Sequence, residues 1–373
     1  MHLDKKLIIF SYDFPPSNGG IARLCQEIAV GMRTHYSSVS VLTRKKNGPN
    51  IPYNLKEVQI IELPNKRVAC ELKALSYLRK LKDKNNYDIL CGNWHPESFL
   101  CIISGFKNVF VLGHGTEFLS GDSYFRKQVW LPYYSKFVLN RIKLIIANSN
   151  YTEGLIREIS YLANATTLPL AVNHNFFKPL SKDSSQYSKL KICTVSRIEH
   201  FKGHDFIAKV IANMPTEFRE KIEWNIAGTG NYLKDLVGIV DVLGLKNQVK
   251  FHGFVKDEDL PAFYSNNNLF ILCSRENPNN TSVEGFGLVF LEAQSCGIPV
   301  IGTNTGGISD AIHDHNGGWL INQDDEFQLK NLLLSFLRDE SIINKMGEKA
   351  RERVVKYCTW EIYCMKLKEL LSI

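Results

Sequence analysis

The sequence predicts an α/β protein built from two doubly wound parallel sheets, one after the other along the chain. Three observations carry this. Short apolar runs alternate with stretches long enough for a helix, and the alternation occurs twice. The length, 373 residues, exceeds what one ordinary core holds and suits two domains of typical size. Glycine-rich or charged loops follow several of the runs, where such sheets bind their ligands.

The first series of runs falls at 7–10, 39–42, 58–63, 88–91, 109–112 and 144–147. A second starts at 190–195 and continues through 222–227, 249–251, 269–272, 299–301 and 319–321. Between them lies a polar stretch, 171–180, which ends in Pro179 and Leu180 and is followed by the serine-rich 181–188. The domains are therefore expected at 1–172, completed by a C-terminal helix over 358–373, and at 173–357. No short-period repeat or low-complexity tract interrupts them. The site is expected in a cleft between the halves, outside the carboxyl ends of the strands.

Composition narrows the class. With 44% hydrophobic and 22% charged residues the chain has an ordinary soluble, globular make-up. The apolar run 7–10 is closed by Asp13, too soon for a signal peptide. The most apolar later window, 99–113, carries Lys107 and falls short of a bilayer span, so a cytoplasmic protein without a transmembrane segment is expected. Nine cysteines without a C-x-x-C pair read as reduced, buried small residues. Charge is uneven: residues 1–175 hold 22 Lys and Arg against 13 Asp and Glu, a balance of +9 within a whole-chain +7, which leaves −2 for the rest. The basic half is the one to meet an anionic partner.

The most informative motif is Glu284-Gly285-Phe286-Gly287-Leu288-Val289-Phe290-Leu291-Glu292, set between two strand-like runs. From Gly287 to Cys296 it reads as a helix buried nearly all round, with Glu292 as its only charge, and a lone carboxylate there is costly unless something bonds it. Gly287 opens the helix, so free backbone N–H groups and the positive end of the macrodipole point out of the sheet, where an anion can sit. Glu292, about a turn and a half further on, reaches hydroxyls beside that anion, and Glu284 lies in the loop on its other side. Ribose, diphosphate and sugar follow one another in the same way in a sugar nucleotide.

Other strand-end loops carry related chemistry. Asp13-Phe14-Pro15-Pro16-Ser17-Asn18-Gly19-Gly20 leads into a helix starting near Ile21, and Gly19 and Gly20 let the backbone approach a ligand closely. Ser196-Arg197-Ile198-Glu199-His200-Phe201-Lys202-Gly203 sets Arg197 and Lys202 at a strand's carboxyl end, although alone such a loop is better explained by solvated charge. Ala227-Gly228-Thr229-Gly230 is half of a dinucleotide fingerprint, lacks the third glycine, and reads as a tight turn.

Over nearly its whole length the chain resembles a retaining glycosyltransferase of family 4, of the GT-B type with two Rossmann-like domains. The resemblance rests on the Pro15 to Gly20 loop, His114-Gly115-Thr116-Glu117, Ile146-Ala147-Asn148-Ser149, Pro169-Leu170-Ala171-Val172-Asn173, the Arg197 and Lys202 loop, and the glutamate motif with Gly297-Ile298-Pro299-Val300 and Gly306-Gly307 beyond it. It implies that the second half binds a UDP- or GDP-sugar. Arg197 and Lys202 would hold the diphosphate and Glu292 the ribose, Glu284 would lie by the sugar, and Phe286, Gly287 and Leu288 would line the donor site. His114 would lie near the transferred sugar, and Gly19 and Gly20 in a loop closing over phosphate and acceptor. His114, Arg197, Lys202 and Glu284 are thus the expected catalytic residues. The resemblance also implies retention by attack on the leaving-group face, the departing phosphate taking the proton, with a glycan or lipid-linked acceptor bound for a bacterial surface polysaccharide. The chain departs from the family at Ala171 and Asn173, where Gly and Asp are usual, which bears on the hinge more than on the chemistry.

No cofactor is expected. Fixed cations and a helix N-terminus at the leaving diphosphate do what a Mg²⁺ held by an Asp-x-Asp pair does in other transferases, so transfer is expected to be metal-independent. Asp257-Glu258-Asp259 reads as the acidic first turn of a helix, and His200, His204, His313 and His315 as loop and surface histidines. Two stretches could dock on an anionic membrane: 66–84, with Leu72, Leu75, Leu78 and Leu81 spaced by three among basic residues, and 124–143, where Phe125, Trp130, Tyr133, Tyr134 and Phe137 interleave with five cations. Each reads equally well as a helix packed on its sheet with a solvated basic face. A sugar-nucleotide 2-epimerase of the same fold would need acid–base residues at the sugar and no acceptor pocket, and a Rossmann oxidoreductase is disfavoured by the missing glycine. Nucleic acid is not expected, since no aromatic–basic RNA signature appears.

Overall fold

The computed structural model describes residues 5–17, 19–45, 55, 57–121, 123–180, 189–276 and 282–373, and the chain divides into two compact units. Unit 1 is Met1–Pro169 with Trp360–Ile373, and unit 2 is Leu170–Thr359. Asn18 of the first loop and the serine-rich 181–188 lie outside the described residues.

Unit 1 holds seven parallel strands, β1 (Lys6–Phe10), β2 (Ser38–Arg44), β3 (Val58–Leu63), β4 (Tyr87–Cys91), β5 (Val109–Gly113), β6 (Leu144–Ala147) and β7 (Ala165–Thr167), in the order β3-β2-β1-β4-β5-β6-β7. Helices α1 (Gly20–Gly31), α2 (Arg67–Lys80), α3 (Phe99–Ile103), α4 (Lys136–Leu139) and α5 (Asn150–Ile159) accompany them. Strands β1, β5 and β6 are apolar almost throughout because both faces are covered; Leu7, Ile9 and Phe10 are wholly buried. Ser149 caps α5 by accepting the Thr152 N–H at 3.1 Å. Strand β7 escapes the reading of apolar runs because its three residues are Ala-Thr-Thr.

The leucines of α2 do not form one stripe. Its buried face is Cys70, Ala74 and Leu78, spaced by four, whereas Leu72 stands exposed with Val68. A spacing of three drifts around a helix of 3.6 residues per turn, so the leucines wind from one face to another. In the second basic stretch, Arg126–Ser135 is a wide, π-type helical segment that continues into α4. Its Trp130 and Tyr134 turn inward onto Trp94 and His95, with ring centroids 4.4 to 6.0 Å apart, and burial lowers the His95 pKa to about 4. Tyr124, Phe125, Tyr133 and Phe137 stand exposed.

Unit 2 holds six parallel strands, β8 (Leu190–Val195), β9 (Ile222–Ala227), β10 (Val249–Gly253), β11 (Leu269–Leu272), β12 (Val300–Thr303) and β13 (Gly318–Ile321), ordered β10-β9-β8-β11-β12-β13. Its helices are α6 (His204–Ala212), α7 (Thr216–Arg219), α8 (Leu233–Val242), α9 (Leu260–Ser265), α10 (Leu288–Ser295), α11 (Ile308–Ala311), α12 (Glu326–Arg338) and α13 (Ser341–Tyr357). Strand β12 begins at Val300, since Ile298 and Pro299 belong to the turn out of α10. The chain then returns to unit 1 as α14 (Trp360–Leu371), close enough to α1 that a side chain at Gly31 would overlap Cys364. One expectation fails in unit 2. His204 is not at the surface but fully buried on the first turn of α6, stacked against Trp224, and burial lowers its pKa to about 4.

Strand order reverses once in each sheet, between β1 and β4 and between β8 and β11. Loops leaving two such strands run in opposite directions and open a crevice at their carboxyl ends, which is where open α/β sheets bind ligands.

Candidate functional site

In unit 2 the crevice at β8 and β11 is lined by the loops that the sequence singled out. The loop after β8 ends at Gly203, whose φ of 73° is the left-handed region, and a side chain there would overlap the Cys273 carbonyl at the end of β11. The Arg275 N–H donates to the Phe201 carbonyl at 2.6 Å, fastening the two loops together. The Arg275 guanidinium grips Asp205 at 2.8 and 3.0 Å and Asp324 at 2.8 and 3.1 Å. Lys202 is thereby aimed at the second loop: its Nζ donates to Glu284 Oε2 at 2.5 Å, with both side chains largely covered. The Glu284 carbonyl accepts the Gly307 N–H at 2.8 Å, and a side chain at Gly306 would overlap that carbonyl.

Two residues past Phe286, which is buried, the chain enters α10 through Gly287, with φ at 88°. A Cβ there would lie 2.6 Å from the Phe290 ring. The first-turn N–H groups of an α-helix have no acceptor within the helix, so the Leu288 end of α10 presents donors at the crevice. Glu292, 6% exposed, is held on Oε2 by the hydroxyl of Tyr264 at 2.9 Å. Burial, and then the Glu292 carboxylate, push the Tyr264 phenol well above its ordinary pKa, so it stays protonated and donates. Arg197 is exposed and has no ion-pair partner among the described residues. Its loop is set by the Gly228-Thr229-Gly230 turn: Ile198 donates to the Thr229 carbonyl at 2.9 Å, and side chains at Gly228 and Gly230 would overlap the carbonyls of Ser196 and Ile198. Close packing against the Arg197 loop, not a dinucleotide, accounts for those glycines.

In unit 1 the corresponding crevice, at β1 and β4, receives Gly19, Gly20 and, from the neighbouring β5, His114. Among the described residues nothing stands within 4 Å of a Cβ built on Gly19 or Gly20, so they leave the backbone there open to approach. His114 Nε2 lies 2.7 Å from the Gly92 carbonyl, which can only accept; Nε2 therefore carries the proton and Nδ1 presents a lone pair. Gly92 has no room for a side chain beside Ser11, whose hydroxyl donates to the Asp13 carbonyl at 2.8 Å. Below this loop Glu97, 2% exposed, accepts the Tyr12 N–H at 3.3 Å through Oε1, and its Oε2 has no hydrogen-bond partner among the described residues. Burial first, and Asp13 after it, push its pKa to about 7 against backbone hydrogen bonds and Arg44.

The structure thus brings together Lys202, Glu284, Phe286, Gly287, Leu288 and Glu292 on one sheet edge, with Arg197 on the adjacent loop; His114, Gly19 and Gly20 belong to unit 1. Tyr264, Arg275, Gly92 and Glu97 join the list only here. Arg275, the third residue past β11, was open to the strand-end reasoning that found Arg197; the other three carry no local signal. Among the described residues no three His, Cys, Asp or Glu side chains converge to hold a metal ion, and Asp257–Asp259 forms a 3₁₀ turn leading into α9. No disulfide joins the described cysteines.

Two family models match the chain, one described as glycosyl transferases group 1 over residues 178–353 and one as glycosyltransferase family 4 over residues 18–176. A GDP-mannose-dependent alpha-(1-6)-phosphatidylinositol monomannoside mannosyltransferase of Mycobacterium tuberculosis is 24% identical, with 98% of each chain aligned. HepE of Anabaena, solved with UDP and glucose, superimposes with a TM-score of 0.77 at 19% identity over 99% of both chains. WaaG, a glycosyltransferase involved in lipopolysaccharide biosynthesis, does so with 0.70 at 16% identity over 98% of this chain and 99% of its own.

Proposed function

Because the chain belongs to the family 4 glycosyltransferases, with their GT-B fold of two Rossmann-like units, we propose that it moves a sugar with retention from a UDP- or GDP-sugar to a glycan or lipid-linked acceptor in surface polysaccharide synthesis. The observation that carries the donor assignment is the convergence, at one switch point, of the Lys202–Glu284 pair, the open end of α10 and the buried Glu292. A leaving nucleoside diphosphate gains negative charge as its bond to the sugar breaks. Lys202, Arg197 and the α10 N–H groups are fixed where that charge develops, so they stabilise the transition state without reorganising. Glu292 takes the ribose hydroxyls, and Glu284 lies on the sugar side of Lys202.

Unit 1 is assigned the acceptor, with Gly19 and Gly20 as its open backbone and the His114 Nδ1 lone pair as an acceptor for a sugar hydroxyl. The acceptor hydroxyl attacks on the leaving-group face and its proton passes to the departing phosphate. The mycobacterial relative's name gives a lipid-bearing acceptor and WaaG's title a surface glycan, which support this reading. No helix among the described residues is long and apolar enough to cross a membrane. The exposed aromatics of 124–143, beside Arg126, Lys127, Lys136, Arg141 and Lys143, favour that stretch over α2 as a peripheral contact with anionic lipid.

A donor screen with UDP- and GDP-sugars tests the core of this. One of them is expected to raise the melting temperature, since a ligand at roughly a hundred times its Kd adds about 2.7 kcal/mol. Transfer from that donor should yield a product of unchanged anomeric configuration and survive EDTA. Inversion, or loss of activity restored by Mg²⁺ or Mn²⁺, would contradict the mechanism. Binding to acidic vesicles that fades as salt rises is expected of the basic stretch; equal binding to neutral vesicles counts against it.

A further inference from the structure

We propose that Tyr264 is the positioning residue that lets Glu292 recognise the vicinal ribose hydroxyls of the donor nucleotide. The inference rests on the assignment of Glu292 to the ribose and adds what makes that contact selective. The terminal torsion of a glutamate is broad and nearly two-fold, so an unanchored carboxylate has a poorly defined plane. Two adjacent hydroxyls donating to one carboxylate need that plane fixed. Tyr264 supplies the anchor: its hydroxyl donates to Oε2 at 2.9 Å and the residue is wholly buried.

The ring itself is clamped. It packs edge-on or tilted against Phe263 of its own helix at 6.5 Å, Phe270 of β11 at 6.0 Å and Phe177 of the loop before β8 at 6.2 Å. Phe177 is tied in turn to the helix that bears Glu292, because its carbonyl accepts the Ser295 hydroxyl at 2.5 Å and the Arg351 guanidinium at 3.1 Å. Ring, phenol and carboxylate therefore form one rigid body with α10. A buried phenol needs an acceptor and a buried carboxylate needs donors, so the bond also satisfies both groups before any ligand arrives.

Tyr264→Phe keeps the ring and removes the anchor. Calorimetric titration with UDP and GDP, and with their 2′-deoxy forms, reads the effect. The parent is expected to prefer the ribonucleotide, and Tyr264→Phe to bind it roughly tenfold more weakly, as the loss of one charge-assisted hydrogen bond implies, with the preference over the deoxy form reduced. With donor saturating, kcat should stay near the parent's, which a general loss of structure would not allow. In a Glu292→Gln background the same Tyr264→Phe change should have little further effect on binding; this pair keeps the test open if the single variant folds poorly. A parent that prefers the ribonucleotide, beside a Tyr264→Phe variant that prefers it equally, overturns the role of Tyr264 alone. A parent that binds both forms equally overturns the ribose assignment and the inference with it.

Discussion

Lys202 and Glu284 are held 2.5 Å apart with little solvent around either, so removing one leaves the other as an uncompensated, covered charge. Glu97 presents the reverse case, a buried carboxyl with no cation bonded to it and a pKa raised from 4.5 to about 7 by burial. An acid whose pKa is raised on folding favours the native state while protonated, and that advantage is lost as pH climbs from 4.5 through 7. On the order of 3 kcal/mol is at stake over this window. Glu97→Gln, which has no proton to lose, is therefore expected to gain stability relative to the parent between pH 4.5 and 7 and hold that gain above it, in melting curves taken across the range. An unchanged difference between the two proteins at pH 5 and pH 8 would refute the assignment. At this scale the sequence exposed Glu284 and Glu292 because each is a charge in an apolar or glycine-rich setting. Tyr264, Glu97 and Gly92 stayed hidden because their significance lies in partners 28, 85 and 22 positions away.

Among the elements, α10 and the loops beside it were legible because glycine marks a place where chain direction or close approach leaves no alternative. Gly287 at 88° and Gly203 at 73° sit where other residues are strained. Gly228 and Gly230 carry a different constraint, since they let the turn after β9 lie against the backbone of the Arg197 loop. Gly230→Ala is expected to displace that loop, lowering nucleotide affinity together with stability, because the atom it meets is a backbone carbonyl that cannot swing aside. Unaltered nucleotide affinity in a folded Gly230→Ala protein would mean that the Arg197 loop is not part of the donor site. Twelve of the thirteen strands among the described residues were visible as apolar runs, since a parallel sheet covered on both faces leaves no polar side to break the pattern. Strand β7 has too few apolar atoms to register, and α2 stayed open between two readings because its charged residues surround the leucines; the structure packs it on its sheet through Cys70, Ala74 and Leu78.

For the whole molecule, two sheets with the same order of strands explain why one chain offers two sets of strand-end loops of opposite character. Unit 2 supplies cations and a helix terminus, proposed for the diphosphate, and a buried carboxylate, proposed for the ribose. Unit 1 supplies open glycines and a histidine whose tautomer is fixed by a backbone carbonyl. The doubling was legible from length and the repeated alternation, and the return of a C-terminal helix to the first unit was expected from the resemblance; the structure adds the helix it packs on, α1, where a side chain at Gly31 would overlap Cys364. Titration of the parent, Glu292→Gln and Lys202→Ala with UDP and GDP tests the central assignment most directly. One of the two nucleotides should bind the parent, and both variants should bind it roughly tenfold or more weakly, the cost of losing a charge-assisted contact. Equal affinity in all three proteins would contradict the account, since the donor would then lie somewhere other than the carboxyl edge of β8 and β11.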